Sequence, residues 1–135
     1  MDKALNYLAI ARKAGLAELG EELVGAVTRA GKGYLVAVAS DASDHTWRRA
    51  KSFVAGTEQQ CVRLPYSKDE MGMAVGRSSL AIAAVTDAAL ALALVKSLPD
   101  GDAAAEEALS RRTEKLNQRK KEARAHQRNL RKGKK

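Results

Sequence analysis

The segment GEELVGAVTRAGKGYLVAVASDAS, residues 20–43, contains the pattern that decides the fold. Its first half has apolar residues at the spacing of one helix face: Leu23, Val24, Val27 and Ala30. A glycine-containing turn follows, and residues 35–39 form an apolar run of strand length that ends in small polar residues. The segment therefore predicts a helix, a turn and a buried strand, which is half of a βαβ-type layer.

The chain on either side of this segment continues to alternate between helix and strand patterns. The predicted helices are residues 3–14, ended by Gly15, and residues 46–54, 67–75 and 88–98. The further predicted strands are residues 60–64 and 80–85, with a glycine-led loop at 76–79 between a helix and the last strand. Ser67 and Glu70 have the spacing of a capping box, and Thr86-Asp87 is a cap for the last helix. This alternation predicts the α/β class, as a three-layer α/β/α sandwich around a small mixed sheet of about four strands.

The charge of the chain is concentrated at its C-terminal end. Of 24 Lys and Arg residues, 12 lie in residues 103–135 against 4 Glu, whereas residues 1–102 carry 12 basic and 12 acidic residues. The turn-forming residues 99–102 mark a boundary. With 135 residues the chain can bury one ordinary core. We therefore predict one folded α/β domain at residues 1–98 and a basic, partly helical or disordered tail at residues 99–135.

The predicted tail has helix-forming residues and one apolar residue per heptad, which is too few for a coiled coil. We expect it to become helical when a polyanion neutralises its charge. Its density of cations favours contacts with nucleic acid over a merely solubilising role. The predicted contacts are Arg119, Lys120, Lys121, Arg124, Arg128, Arg131 and Lys132.

Several functional classes are disfavoured by composition. A single cysteine, Cys61, excludes an internal disulfide framework and a cysteine-based zinc site, and it is expected to be a plain, at least half-buried thiol. No nucleophile motif accompanies Ser40, Asp41 and His45, so we predict no enzyme, no cofactor and no metal site. Trp47 is expected to anchor its helix to the core. No apolar run is long enough for a membrane span and no secretion signal is evident, so a cytoplasmic location and no membrane partner are expected.

Five short segments of residues 5–98 resemble the kink-turn-binding ribosomal protein family, that of the archaeal large-subunit protein L seven Ae. The resemblance is greatest to its small bacterial members encoded near translation factors. The matching segments are residues 8–15, 20–24, 35–43, 72–76 and 84–87. The resemblance implies an α/β/α sandwich that binds RNA with the start of its second helix and with the loop before its last strand.

The resemblance also places the RNA-binding residues of this chain. It implies that Gly20, Glu21 and Glu22 approach the RNA, and that Arg77, Ser78 and Ser79 contact an extruded nucleotide. Four cations near the same edge are predicted as auxiliary phosphate contacts by position alone: Arg12, Lys13, Arg29 and Lys32. The implied partner is a structured RNA, ribosomal or other, with the ribosome as a possible assembly and the domain itself as a monomer.

The chain departs from the kink-turn-binding pattern at three places. Residues 16–19 replace a lysine-rich segment, Glu22 and Leu23 stand where Asn and Glu are typical, and Ala26 stands where a Lys is typical. Carboxylates at this edge would repel a phosphate backbone. The sequence therefore leaves kink-turn recognition open, and the alternative is a protein-interaction module with a degenerate RNA surface and a tail that binds nucleic acid non-specifically.

Overall fold

The computed structural model describes the backbone of residues 2–133 and the side chains of residues 2–127. In chain order its elements are α1 (Lys3–Lys13), β1 (Ala17–Leu19), α2 (Glu21–Arg29), β2 (Leu35–Val38), α3 (Asp44–Val54), β3 (Gln60–Arg63), α4 (Lys68–Val75), β4 (Ile82–Val85), α5 (Ala88–Lys96) and α6 (Ala103–Gly133). Within this described part, no helix has the length and apolar character needed to cross a bilayer.

The four strands form one mixed sheet in the order β1-β4-β2-β3. Strand β4 is antiparallel to both of its neighbours, β1 and β2, whereas β2 and β3 are parallel. In the central register, Val36 of β2 lies opposite Ala84 of β4 on one side and Cys61 of β3 on the other. The predicted small mixed sheet is confirmed.

Helices cover both faces of this sheet. One core lies between the sheet and α1, α4 and α5, and it includes the fully buried Leu8, Met71 and Leu94. The other core lies between the sheet and α2 and α3, where Val24 and Ala50 pack on alternate residues of the strands. Strands β2 and β4 are buried on both faces, which explains why their sequences are continuous apolar runs. The three-layer α/β/α sandwich is therefore confirmed.

Strand β1 was not predicted. The sequence predicts no element at residues 16–19, but Ala17 pairs with Val85 and Leu19 pairs with Ala83 at the edge of the sheet. A strand of three residues is too short to show the alternation that identifies a strand from sequence. The strand forms because β4 offers it a free edge, which is a tertiary effect.

The predicted helix caps are confirmed. The Ser67 hydroxyl accepts a hydrogen bond from the Glu70 amide at 3.1 Å, and the Glu70 carboxylate accepts one from the Ser67 amide at 3.0 Å. The Asp87 carboxylate accepts from the Leu90 amide at 2.9 Å at the start of α5. Each pair satisfies backbone donors that a helix start leaves without a partner.

The first turns of α6 pack on the domain. Ala105 and Leu109 are buried in the core beside α5. Farther along, the Arg112 guanidinium lies 4.0 Å from the centre of the Tyr34 ring and donates a hydrogen bond to the Gly33 carbonyl at 3.2 Å. The helix is thus attached by apolar and polar contacts. The division of the chain into a domain at residues 1–98 and a tail stays a prediction.

Candidate nucleic-acid interface

The start of α2 is fixed by a strand-to-helix turn at Gly20. This residue has φ +93°, a backbone conformation that favours glycine, and its amide donates to the Ile82 carbonyl at 3.0 Å. The turn therefore attaches the first turn of α2 to the beginning of β4. Glu21 and Glu22 lie in that turn, where carboxylates stabilise the positive end of the helix dipole.

The loop at residues 76–79 folds back closely over α4. The amide of Arg77 donates to the Gly72 carbonyl at 2.8 Å, and Gly76 has the left-handed conformation that ends the helix. A Cβ atom at Gly72 would lie 2.8 Å from the Arg77 carbonyl oxygen and from the Ser79 amide nitrogen. Only glycine fits there, and the close approach leaves the side chains of Arg77, Ser78 and Ser79 exposed.

These elements meet in one groove along the edge strand β1. Arg12 from the last turn of α1 and Arg77 from the loop both line it, together with Glu18 of β1 and Leu23 of α2. Leu23 is 49% exposed, so its apolar side chain is accessible at the groove. The groove thus combines two guanidinium groups that can bind phosphate with an apolar contact that can pack on a base.

A second cluster lies on the other side of the α2 start. The Arg49 guanidinium of α3 forms an ion pair with Glu21, and a shallow pocket there is lined by Glu22, Arg29 and His45 as well. Arg49 also lies 5.2 Å from the centre of the Phe53 ring. Sequence reasoning missed Arg49, because nothing in the pattern of α3 indicates that it faces α2.

The remaining predicted RNA contacts do not line the groove. Lys13 is exposed in the last turn of α1 but does not line the groove. Lys32 follows the far end of α2, so the helix alone puts it roughly 13 Å from Gly20. Four of the predicted tail contacts are exposed on α6, namely Arg119, Lys120, Lys121 and Arg124. The side chains of Arg128, Arg131 and Lys132 lie outside the described residues.

Two other residues singled out in the sequence belong to the α3 side of the sheet. Trp47 is half-buried against the α2–α3 core, as predicted, with the Arg63 guanidinium 4.7 Å from the centre of its ring. Cys61 is half-buried in the same core, and burial raises the pKa of its thiol to about 11. A thiol with a raised pKa is a poor nucleophile at neutral pH, which agrees with the predicted plain thiol.

Comparison with known proteins identifies the family of the chain. No family model matches the sequence. The chain is, however, 36% identical over 75 residues to the RNA-binding protein YlxQ of Enterococcus faecium, a match that spans 56% of this chain and 72% of that protein. The chain belongs to the YlxQ family.

Two solved structures resemble this YlxQ-family chain in fold. A protein with unknown function from Bacillus halodurans C has a TM-score of 0.67 and 25% sequence identity, covering 71% of this chain and 96% of that one. The 15.5kD RNA binding protein of Giardia lamblia has a TM-score of 0.61 and 20% identity, covering 79% and 87%. At that identity the second likeness shows the fold alone. The α/β fold of the L seven Ae type, which the sequence resemblance implied, is confirmed.

Proposed function

We propose that this YlxQ-family chain binds structured RNA through the surface formed by the end of α1, the start of α2 and the loop at residues 76–79. The observation that carries the proposal is the groove in which Arg12 and Arg77 lie together beside the first turn of α2. The name of the relative YlxQ, an RNA-binding protein, supports the same function for this chain.

We propose a chemical role for each part of this surface. Arg12 and Arg77 each carry a planar guanidinium, which binds phosphate oxygens through paired hydrogen bonds. Leu23 offers an exposed apolar surface to an unstacked base. The exposed hydroxyls of Ser78 and Ser79 can donate to phosphate or to a 2′-hydroxyl. We propose that this combination recognises a bent RNA with an extruded nucleotide.

The glutamates around the start of α2 are expected to repel RNA less than their number implies. Glu21 already has a cationic partner in Arg49, so its charge is largely balanced before RNA approaches. Glu22 is exposed, and Glu18 lines the groove together with Arg12 and Arg77. The two pockets together are lined by four arginines, Arg12, Arg29, Arg49 and Arg77, against three glutamates, so the region carries a small net positive charge.

The finer points of the function are part of the same proposal. The RNA is proposed to contain a kink-turn-like bend and to belong to a ribosome- or translation-associated complex in the cytoplasm, with the domain acting as a monomer. The exposed cations of α6 are proposed to supply much of the affinity through release of counterions, independently of sequence.

Binding measurements on the full chain test this proposal. A fluorescent kink-turn RNA and a duplex of equal length are titrated with the wild-type chain and with Arg77→Ala across a series of salt concentrations. We expect a preference for the kink-turn RNA that Arg77→Ala lowers roughly tenfold, since a charged hydrogen bond to phosphate is lost. The control is Arg48→Ala, which removes an exposed arginine of α3. Arg48 lines neither the groove along β1 nor the pocket beside Arg49. Equal affinity of the wild type for both RNAs would contradict specific recognition.

A protein-interaction module is the second candidate, and one observation favours it. Leu23 is exposed next to Glu22, at the position where the RNA-binding pattern of the resembled family has polar residues. An exposed leucine beside a carboxylate suits a protein partner with an apolar and basic surface. If Leu23→Ser leaves RNA binding unchanged and Arg77→Ala does so too, this second function gains support over the first.

A further inference from the structure

One end of the groove along β1 lies at the end of the sheet where β2 begins. Gly15 and Ala17 line the groove there. Between them, the Leu16 carbonyl accepts a hydrogen bond at 2.8 Å from the amide of Thr86, the residue that follows β4. On the opposite side of β4, the Tyr34 amide donates to the carbonyl of the last β4 residue at 2.9 Å. The groove therefore shares this sheet end with the segment that precedes β2.

Helix α6 crosses the same sheet end, and its contacts advance from β3 toward β1. Ala108 shares a pocket with the first residue of β3. Arg112 then donates to the carbonyl of Gly33, just before β2. Lys120 lines a further pocket together with Thr86, just after β4. Because the strand order is β1-β4-β2-β3, successive turns of α6 approach the strand that borders the groove.

The pocket beside Lys120 adjoins the groove through the hydrogen bond between Leu16 and Thr86. Neighbouring strands of a sheet lie about 4.8 Å apart, so Leu16 and Thr86 are separated by roughly one strand spacing. The first of these residues belongs to the edge of the groove, and the second lines the pocket beside α6. An RNA segment that extends from the groove past Gly15 therefore comes within reach of α6.

Exposed cations flank this junction. Lys13 is exposed in the last turn of α1, two residues before the groove ends at Gly15. Asp87 also lines the pocket, but its carboxylate is engaged as the cap of α5. The described side chains of α6 from residue 113 onward are cationic in sum and a polyanion matches their charge. They include Lys115, Arg119, Lys120, Lys121 and Arg124, against Glu114 and Glu122.

We propose that a single RNA occupies the groove and α6 together, with its bend in the groove and one base-paired arm beside the bend lying along residues 113–127. This inference deepens the proposed function and rests on it, because it takes binding of the bend at the groove as given. It assigns the α6 cations to one particular arm of the bound RNA, whereas counterion release alone favours no part of the RNA. The class of RNA recognised is then a bend that carries a long arm on one defined side.

Binding of kink-turn RNAs with arms of different length tests this placement. The full chain is titrated with a fluorescent RNA that has two long arms, and with two RNAs in which one arm or the other is cut to a few base pairs. We expect that shortening one arm weakens binding roughly tenfold at low salt, because its phosphate contacts with α6 are lost. Shortening the other arm should change the dissociation constant less than about twofold.

An α6 variant carries Lys120→Gln, Lys121→Gln and Arg124→Gln, which removes three cations while keeping good helix formers. We expect it to bind the long-armed RNA roughly tenfold more weakly than the wild type and to be insensitive to the length of either arm.

A control variant with the same change in charge carries Lys3→Gln, Arg48→Gln and Lys96→Gln, all at exposed positions. Lys3 and Lys96 lie at the ends of α1 and α5 that are remote from the junction. This control should keep the wild-type dependence on arm length.

The outcomes separate this inference from the function on which it rests. Wild-type affinity that depends on neither arm would overturn the inference, and so would an α6 variant that loses affinity equally for all three RNAs. Saturation with two RNAs per chain would also overturn it, since α6 would then hold a separate molecule. The proposed function fails by a different result: wild-type affinity for the bent RNA no higher than for a straight duplex of equal length, which removes the inference as well.

Discussion

Arg49 of α3 forms an ion pair with Glu21 in the first turn of α2, at the edge proposed to bind RNA. The pair joins the two helices on one face of the sheet and balances a carboxylate that would otherwise repel phosphate. Both side chains are partly exposed, at 48% and 37%, so the pair contributes little to stability. We infer that its effect is mainly on the local electrostatic field.

Arg49→Ala is therefore expected to weaken RNA binding about two- to fivefold at low salt, because Glu21 is left without its partner. The double variant Arg49→Ala with Glu21→Gln should recover most of the loss. The measurement is the dissociation constant of the kink-turn RNA for wild type, both single variants and the double variant. A double variant as weak as Arg49→Ala alone would show that Arg49 contacts RNA directly instead of balancing Glu21.

Gly72→Ala is expected to disrupt the loop at residues 76–79. The added methyl group would meet backbone atoms of Arg77 and Ser79 at 2.8 Å, so the loop must move. We expect a loss of about 1–3 kcal/mol in the free energy of unfolding, as for other overpacked sites, together with weaker RNA binding. Urea denaturation measures the first effect. The control is Met73→Ala on the same helix, whose side chain is 79% exposed, and equal stability of the two variants would exclude the steric explanation.

Arg112→Ala should detach α6 from the beginning of β2. It removes the stacking of the guanidinium on Tyr34, at 4.0 Å, and the hydrogen bond to the Gly33 carbonyl. The expected loss is about 1–3 kcal/mol in the free energy of unfolding. Its neighbour Arg111 is exposed, so Arg111→Ala is the matched control with an expected change below about 0.5 kcal/mol. Faster amide hydrogen exchange of α6 in Arg112→Ala, but not in Arg111→Ala, would show that the loss of stability comes from detachment of α6. Equal exchange rates in both variants would contradict the prediction.

Cys61 should react slowly with iodoacetamide in the folded chain. Burial raises the pKa of its thiol from 9.0 to about 11, so the folded thiol stays neutral where an exposed thiol ionises. At pH 9 we expect roughly 50-fold slower alkylation in buffer than in urea, measured by mass spectrometry. The raised pKa also means that the thiol favours folding below pH 9 and that this contribution falls as the pH rises toward 11. Equal alkylation rates in both conditions would contradict the burial of the thiol.

The fold was largely predictable because most of its helices and strands have a recognisable apolar pattern or cap in the local sequence. The apolar runs of β2 and β4, the capping box at Ser67 and the cap at Asp87 all indicate element type within a few residues. Strand β1 was not predictable in this way, since its three residues become a strand only through pairing with β4. The contacts of α6 were not predicted, because Arg112 contacts Tyr34 and Gly33, which are distant in the sequence. Local sequence patterns do not indicate such contacts.

The candidate site was predictable only in part. The resemblance to a known family pointed to the α2 start and to the loop at residues 76–79, and the structure brings Arg12 and Arg77 together there. Positional reasoning also selected Lys32, which lies at the far end of α2. It missed Arg49, whose role depends on how α2 and α3 pack. The sequence thus indicated which elements border the candidate site, while the charged side chains that meet there depend on the packing of the helices.

The most direct test of RNA binding at the groove is chemical-shift mapping of the isotope-labelled full chain with an unlabelled kink-turn RNA. We predict that the largest amide shifts occur at residues 20–23 and 77–79 and at Arg12, with a second, salt-sensitive set on α6. Shifts confined to α6, with the amides of Gly20 and Arg77 unchanged at saturation, would contradict the account.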